Sequence, residues 1–422
     1  MREKRKISPG TWIMLTATVI ILAASAIVLL RLYDGGSADK TRPQAAAGSV
    51  NASPLPAATQ LAAAVPTATA RPADTRDTQT PEQTHTVTLS FAGSVCLDSE
   101  VRKNCYYSDV KQYDYYDVMT LLRREMQSDL NVVFLENILI EDGTATDVKA
   151  AAAAASMLKA GGFNVAACGF SKAYDLSEEG IRTTRKLLRE NGIESRGIRE
   201  YDGQDTVRVT EVNGIRIALL QYTGTVAAAT RKSMVKQGTD GTVPEAEAER
   251  IALEIGTARA QGCDAVIVLL NWGKTGKAPD KAQKTLAQKI ADAGADLIVG
   301  CGSRIVSGAD ALTAEDGRQV LCVWSLGSLL TGDRSNINRI AGMMLHATVR
   351  KEEGRTGIIG FSYTPVYTWR WKMDGRFHYR CLPAGGSIPD GMDAEQQKAM
   401  KKAADTVRNA MKNAPVEERA YE

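Results

Sequence analysis

The chain has 422 residues, 44% of them hydrophobic and 24% charged, enough for one large domain or two ordinary ones. Its 52 Lys and Arg nearly cancel 49 Asp and Glu, and the net charge of +3 is about what Arg2, Lys4, Arg5 and Lys6 supply against Glu3. No basic surface is left over to argue for nucleic acid as a partner.

Residues 1–10 are basic, and residues 11–30 form an almost unbroken apolar run without a charge. Twenty residues at about 1.5 Å rise give roughly 30 Å, the thickness of a bilayer core. The denser positive charge lies before the run. The positive-inside rule therefore predicts a single-pass signal anchor over residues 11–31, with a cytoplasmic N-terminus and an extracytoplasmic remainder. The alternative is a cleaved signal peptide ending near Ala24-Ser25-Ala26, against which the apolar run continues to Leu30. Residues 32–84 are rich in Ala, Thr, Pro, Ser and Gln and too poor in large apolar residues to offset chain entropy, which predicts a disordered tether.

Globular structure is expected over residues 85–383, with a C-terminal helical tail over 384–422. The stretch 86–92 alternates like a strand and ends in Gly93-Ser94. A helix is expected over 117–128, a strand over 131–135 ending at Glu136-Asn137, and an Ala-rich helix over 146–160 stopped by Gly161-Gly162. A third strand covers 163–168 and is followed by Ser171-Lys172; a helix from Ser177 stops at Asn191-Gly192. Asn213-Gly214 between two strand patterns marks a hairpin. Residues 244–260 read as a helix with Pro244 in its first turn. Next come three apolar runs, each ending in a small or polar loop: Asn271-Trp272-Gly273, Cys301-Gly302-Ser303-Arg304 and Ser325-Leu326-Gly327-Ser328. A helix over 280–293 separates the first two. Strands follow over 346–350 and 358–367, and then a last helix over 393–411 with Met400, Ala403, Ala404, Val407 and Met411 on one docking face. Strand–helix alternation around a hairpin argues α/β with a mixed sheet or two sheets.

In open α/β sheets chemistry is placed at the carboxyl ends of strands, which makes these loops the candidate site. Seven cysteines without a CxxC give no zinc ribbon or redox motif, although Cys96 and Cys105 are close enough for a local bridge. A thiolate site from Cys96, Cys168 and Cys301 is a scattered alternative. No phosphate loop and no GxSxG elbow occurs. The tyrosines at 106, 107, 113, 115 and 116 read as packing, with a ligand groove as the alternative.

Six landmarks in order resemble the CapA family, the poly-γ-glutamate capsule proteins, over roughly residues 87–383. Phe91-Ala92-Gly93-Ser94 stands where the family ends its first strand in Gly-Asp, and Phe134-Leu135-Glu136 where it has Asn-Leu-Glu. Phe163-Asn164-Val165-Ala166 is followed by Phe170-Ser171-Lys172 and Tyr174-Asp175, in place of an Asn-Asn-His loop and Leu-Asp. The 212–218 hairpin matches. Asn271-Trp272-Gly273 replaces His-Trp-Gly, Cys301-Gly302-Ser303-Arg304 replaces His-His-Pro-His, and Ser325-Leu326-Gly327-Ser328 replaces Ser-Leu-Gly-Asn. The resemblance implies a metallophosphoesterase-like fold, a four-layer α/β/β/α sandwich.

A two-metal hydrolytic site needs carboxylates, imidazoles and amides converging on the ions. Of the ligand types in the family pattern this chain keeps Glu136, while His85, His346 and His378 lie outside the site loops. Lys172 and Arg304 fall where the family has His. A salt-bridged Glu136/Lys172/Arg304 cluster is therefore expected in the old metal site, with Asp98 or Asp175 as further acids and no metal or other cofactor. The cleft candidates are Ser94, Glu136, Ser171, Lys172, Asp175, Asn271, Trp272, Cys301, Ser303, Arg304 and Ser328. The resemblance implies a role in capsule or poly-γ-glutamate synthesis, export or attachment, in contact with an anionic envelope polymer and with capsule-synthesis membrane proteins. The substituted ligands favour a binding or scaffold subunit. The rival readings are a metal-dependent hydrolase or amide ligase of altered composition, with Glu136 as its acid or ligand, and a purely structural envelope protein.

Overall fold

A computed structural model describes residues 84–141, 145–201 and 207–420. The expected anchor at 11–31 and nearly all of the tether lie outside the described residues. Among the described residues no helix is long and apolar enough to cross a membrane.

The chain begins a first sheet with β1 (His85–Val95), β2 (Leu130–Leu135), β3 (Val165–Ala167) and β4 (Glu194–Arg196), all parallel to one another. It then builds a second sheet from β5 (Val209–Val212), β6 (Ile215–Thr223), β7 (Ala265–Asn271), β8 (Leu297–Cys301), β9 (Ala309–Thr313) and β10 (Gln319–Val323). Here β6, β7, β8 and β10 run parallel, in the order β9-β10-β8-β7-β6-β5. The chain returns to the first sheet through β11 (Ser328–Leu330), β12 (Ala341–Glu352), β13 (Arg355–Met373) and β14 (Arg376–Pro383). The first sheet is ordered β14-β13-β12-β1-β2-β3-β4, with β11 beside β1. Among the described residues the helices are α1 (Ser99–Cys105), α2 (Ala153–Ala160), α3 (Ser177–Glu190), α4 (Ala228–Gln237), α5 (Ala248–Ala260), α6 (Lys281–Asp292), α7 (Ile337–Ile340) and α8 (Ala394–Met411).

Alternation along the strands decides the layers, because successive side chains point to opposite faces. Leu89, Phe91, Val132 and Phe134 of the first sheet share one core with Ile217, Leu219, Ile267 and Leu269 of the second. The intervening residues face outward. Val133, Leu135 and Ala166 pack with Met157 and Leu158 of α2 and Leu187 and Leu188 of α3. Leu220, Val268 and Leu270 pack with Ile251 and Ile255 of α5 and Ile290 of α6. The result is two sheets face to face with helices outside each. Met400, Ala403, Ala404, Val407 and Met411 of α8 extend the central core, so the stripe legible in the sequence is a docked face.

Asn213 and Gly214 both have positive φ, 48° and 74°, as a two-residue hairpin turn between β5 and β6 requires. Asp280 and Asp393 form capping boxes with Gln283 and Gln396 and start α6 and α8.

Three expected helices are corrected. Residues 117–128 form short 3-10 turns, with the Thr120 hydroxyl donating to the Asp117 carbonyl; Val118, Leu122 and Met126 are buried all the same. In the 146–160 segment the Thr146 hydroxyl accepts from the N–H groups of Val148 and Lys149, and the chain from Lys149 to Ala151 pairs as a strand with Ile138–Ile140 before α2 begins. Pro244 starts no helix. Its carbonyl accepts from the Thr223 N–H and Ala246 N–H returns to the Thr223 carbonyl, which holds this piece extended until α5 begins at Ala248.

His346 lies in β12 between β1 and β13, buried, hydrogen bonded to Ser90 at 2.8 Å and Thr364 at 3.0 Å. His378 on β14 stacks on Trp371, and His85 contacts the Asn213 carbonyl. All seven cysteines are buried free thiols, Cys96 and Cys105 included, so the local bridge is not formed.

Candidate functional site

The carboxyl ends of parallel strands from both sheets open onto one cleft of about 750 Å³. From the first sheet come Cys96 after β1, Glu136 after β2 and Phe170-Ser171-Lys172 after β3. From the second come Gly224 and Thr225 after β6, Asn271-Trp272-Gly273-Lys274 around the end of β7, and Gly302 and Arg304 after β8.

Glu136 is the centre of the floor. Its N–H donates to the Val95 carbonyl at 3.0 Å, which ties the end of β2 to β1 and aims the side chain inward. Its carboxylate is 7% exposed. Oε2 accepts from Nε and Nη2 of Arg304 at 3.2 and 3.0 Å, and Oε1 accepts from Nδ2 of Asn271 at 3.1 Å. Burial alone would lower the Arg304 pKa, but Glu136 opposite it outweighs burial and holds that pKa above its ordinary value.

The loop that presents Arg304 is tightly specified. Gly302 has φ +104°, and a Cβ there would lie 2.9 Å from both the N and the O of Trp272. Arg304 itself has φ +59°, an uncommon backbone for a non-glycine residue, and its carbonyl accepts from the Ser328 hydroxyl at 3.4 Å. Trp272 is 4% exposed, donates from Nε1 to the Trp324 carbonyl at 3.0 Å and stacks on the Trp324 ring. Gly302, Arg304, Trp272 and Trp324 thus form a structural wall.

The expected three-residue cluster is corrected to two. Glu136 and Arg304 pair; Lys172 lines the same cleft, exposed, its side chain without an ion pair or hydrogen bond among the described residues. The reason is position. Lys172 sits in a surface turn where Asp175 N–H closes onto its carbonyl, while both Glu136 oxygens already have donors. Asp175 lies off the cleft and accepts from Thr230 at 2.7 Å. Asp98 lines the cleft but caps α1 and accepts from the Thr331 hydroxyl and the Gly332 N–H. Ser171 and Asn271 line the cleft as expected. Ser94, Cys301, Ser303 and Ser328 lie behind the wall, each at most 4% exposed. Ser94 Oγ lies against the Cys301 thiol and has no conventional hydrogen-bond partner, and Ser303 donates to the Ile305 carbonyl.

The cysteines near the cleft are not thiolates. Burial pushes Cys96 and Cys168 up to about 12, and burial with Glu136 nearby pushes Cys301 higher still. Among the described residues no three His, Cys, Asp or Glu side chains gather closely enough to hold a metal ion. The donor set does not fit a two-metal hydrolytic centre, since the one carboxylate retained from the pattern has both oxygens committed to Arg304 and Asn271.

The lining carries four carboxylates (Asp98, Glu136, Asp147, Asp280) and three cations (Lys172, Lys274, Arg304), so net charge alone decides nothing. Commitment does. Glu136 is held by Arg304, Asp147 by Arg102 at 2.6 Å, and Asp98 and Asp280 by helix N-termini. Lys172 and Lys274 make no ion pair among the described residues. The sequence reading missed Asp147, Gln283 and the Thr223–Thr225 turn as lining. Gln283 was legible as the third residue of the Asp280 capping box; Asp147 carried no local signal.

Two curated relatives are similar over part of the chain. The capsule biosynthesis protein CapA of Bacillus anthracis is 25% identical over 175 residues, 41% of this chain and 41% of that protein. The PGA biosynthesis protein CapA of Bacillus subtilis (strain 168) is 30% identical over 147 residues, 34% of this chain and 37% of that protein. The chain thus spans about two fifths of the length of these relatives. Among solved structures, a phosphatase from Mycoplasma pneumoniae aligns with TM-score 0.39 and 12% identity over 67% of this chain and 94% of its own. A calcineurin-like phosphoesterase from Bacillus subtilis aligns with TM-score 0.38 and 10% identity over 78% of this chain and 99% of its own. The model of the bacterial capsule synthesis protein family, PGA_cap, matches residues 88–333, more than half of the chain, and the chain belongs to that family.

Proposed function

We propose that this chain is a membrane-anchored, extracytoplasmic subunit of capsule or poly-γ-glutamate synthesis, export or attachment, and that its cleft binds an anionic polymer without hydrolysing it. The observation that carries the reading is the contrast in the cleft: Glu136 is closed off by Arg304 and Asn271, while Lys172 and Lys274 stand exposed without an acidic partner among the described residues. A carboxylate held this way is a poor metal ligand or general acid, and unpaired ammonium groups are available to carboxylates of a bound chain. The apolar run at residues 11–30 supports the anchor, and the two CapA relatives, a capsule biosynthesis protein and a PGA biosynthesis protein, support the process.

The test uses the purified full chain in detergent micelles. Poly-γ-glutamate binding is measured by titration calorimetry, and hydrolysis is assayed with Mn²⁺ or Zn²⁺ present. Saturable binding that weakens in Lys172→Ala/Lys274→Ala, with no hydrolysis, is the expected result. Metal-dependent hydrolysis lost in Glu136→Ala would overturn it and establish an enzyme of altered site composition. Absence of any polymer binding would point to a structural envelope protein.

A further inference from the structure

A second opening of about 920 Å³ adjoins the cleft. One side is the end of α1, with Arg102 and Lys103; another is the small hairpin of Tyr106–Tyr107 and Gln112–Tyr113, which carries Lys111 at its turn. The tyrosine rings of Tyr106 and Tyr113 pack against each other at 4.9 Å, and the floor is the small-residue stretch Ala151 to Ala153. One ion pair joins the two linings. Arg102 lines the groove, Asp147 lines the cleft, and they meet at 2.6 Å. Arg102 is fully committed as a latch: Nε donates to the Leu97 carbonyl, Nη1 to the Ala145 carbonyl and Nη2 to Asp147.

The free charge in the groove belongs to the lysines. Lys111 makes no ion pair among the described residues, and Lys103 has only an exposed contact with Glu100 at 3.5 Å, worth little in water. Glu141, the carboxylate that lines the groove among the described residues, is engaged by Lys186 at 2.5 Å. Exposed cations therefore stand on both sides of the Arg102–Asp147 latch, and the far side adds tyrosine faces. A γ-linked glutamyl chain presents one carboxylate per residue, joined by amide and methylene segments. Carboxylates suit lysine, and methylenes suit the apolar body of tyrosine.

We propose that this groove is a second subsite that continues the cleft and takes the following residues of the same polycarboxylate chain. The inference rests on the reading of the cleft as a polymer site, and it adds a direction: the chain leaves the cleft over the Arg102–Asp147 latch toward the Tyr106/Tyr113 hairpin.

The experiment compares two ligands on the full chain in micelles, a tri-γ-glutamate and a long poly-γ-glutamate, each followed by fluorescence anisotropy at fixed ionic strength. The long polymer binds more tightly than the trimer. Lys103→Glu/Lys111→Glu weakens the long polymer by roughly 5- to 10-fold, the size expected of two exposed charge contacts reversed, and leaves the trimer unchanged. Lys401→Glu, an exposed charge reversal on α8, leaves both unchanged. Equal affinity for the two lengths, or an equal loss in Lys401→Glu, overturns the second subsite while the cleft reading stands. Failure of the parent to bind either ligand overturns both.

Discussion

At the floor of the cleft Glu136 receives three side-chain hydrogen bonds from Arg304 and Asn271, while at the rim Lys172 and Lys274 are exposed and make none among the described residues. Both regions consist of loops at strand ends in the same protein. The floor is over-determined: Gly302 admits no Cβ, Trp272 is stacked and hydrogen bonded, and Arg304 sits in a left-handed backbone conformation closed by Ser328. The rim turns are tied mainly through their backbone, as in Ala227 N–H to the Ser171 carbonyl and Gly276 N–H to the Ser303 carbonyl, and the ammonium groups of Lys172 and Lys274 are left exposed. A site that does chemistry concentrates perturbed acids, bases or thiolates where reactants arrive. Here the perturbed groups are locked into the wall and the available ones are simple cations, an arrangement suited to holding a polyanion.

The comparison is sharpest where the floor is attacked first. Gly302→Ala combines an unfavourable φ with contacts of 2.9 Å to the Trp272 backbone, and is expected to cost roughly 3 kcal/mol or to displace the 301–304 loop. Chemical denaturation measures the loss. A Gly302→Ala protein as stable as the parent would mean that the floor is no more rigid than the rim.

A buried group outside the cleft calibrates what locking means. Burial, with a smaller contribution from Arg419, lowers His346 from 6.5 to about 4. The unfolded chain therefore binds more protons than the folded one between these values. Stability is fully present above pH 6.5 and falls as pH drops toward 4, by on the order of 3 kcal/mol at most. His346→Gln, which can retain one contact to Ser90 or Thr364, flattens this acid slope. Denaturation midpoints across pH 4 to 7 test it, and an unchanged slope would remove His346 as the cause.

Glu136→Ala leaves Arg304 without its acid. The side chain of Arg304 is 35% exposed, so water offsets part of the loss, and about 1–2 kcal/mol of destabilisation is expected, below the 3–5 kcal/mol of a fully buried pair. The same variant binds poly-γ-glutamate at least as tightly as the parent, since Arg304 is released toward the cleft. Weaker binding would show that Glu136 itself positions the ligand. At the rim, Lys172→Ala/Lys274→Ala changes stability by less than about 0.5 kcal/mol and lowers polymer affinity about tenfold, with a shallower salt dependence. A thermal melt and a titration series in salt separate the two effects. Loss of stability without loss of affinity would invert the assignment of floor and rim.

Much of the frame is local information. Asn213-Gly214 made its hairpin because both positions must take positive φ, and Asp280 and Asp393 started their helices because a side-chain acceptor three residues before an N–H needs nothing distant. The two-residue period of a strand puts Leu219 and Leu220, or Ile267 and Val268, on opposite faces, but all four are apolar, so which face looks inward was decided only when the sheets packed. The same local reasoning failed at Thr146 and Pro244. There a threonine hydroxyl and the Thr223 backbone offered the segment hydrogen bonds that a helical pattern does not reveal.

For the site, residue types and landmarks were visible in the chain: an isolated Glu136, cations at 172 and 304, and Asn271 in place of an imidazole. Which of them touch was not. Glu136 and Arg304 are 168 residues apart and meet because β2 and β8, on different sheets, end at the same edge of the sandwich and the 301–304 loop turns back through two positive-φ residues. Lys172, only 36 residues from Glu136, stays in solvent because it sits in a surface turn after β3, while Arg304 and Asn271 reach that carboxylate instead. Periodicity, caps and turns are short-range and can be read along the chain. The competition of several donors for one buried carboxylate is settled only when the two sheets have packed.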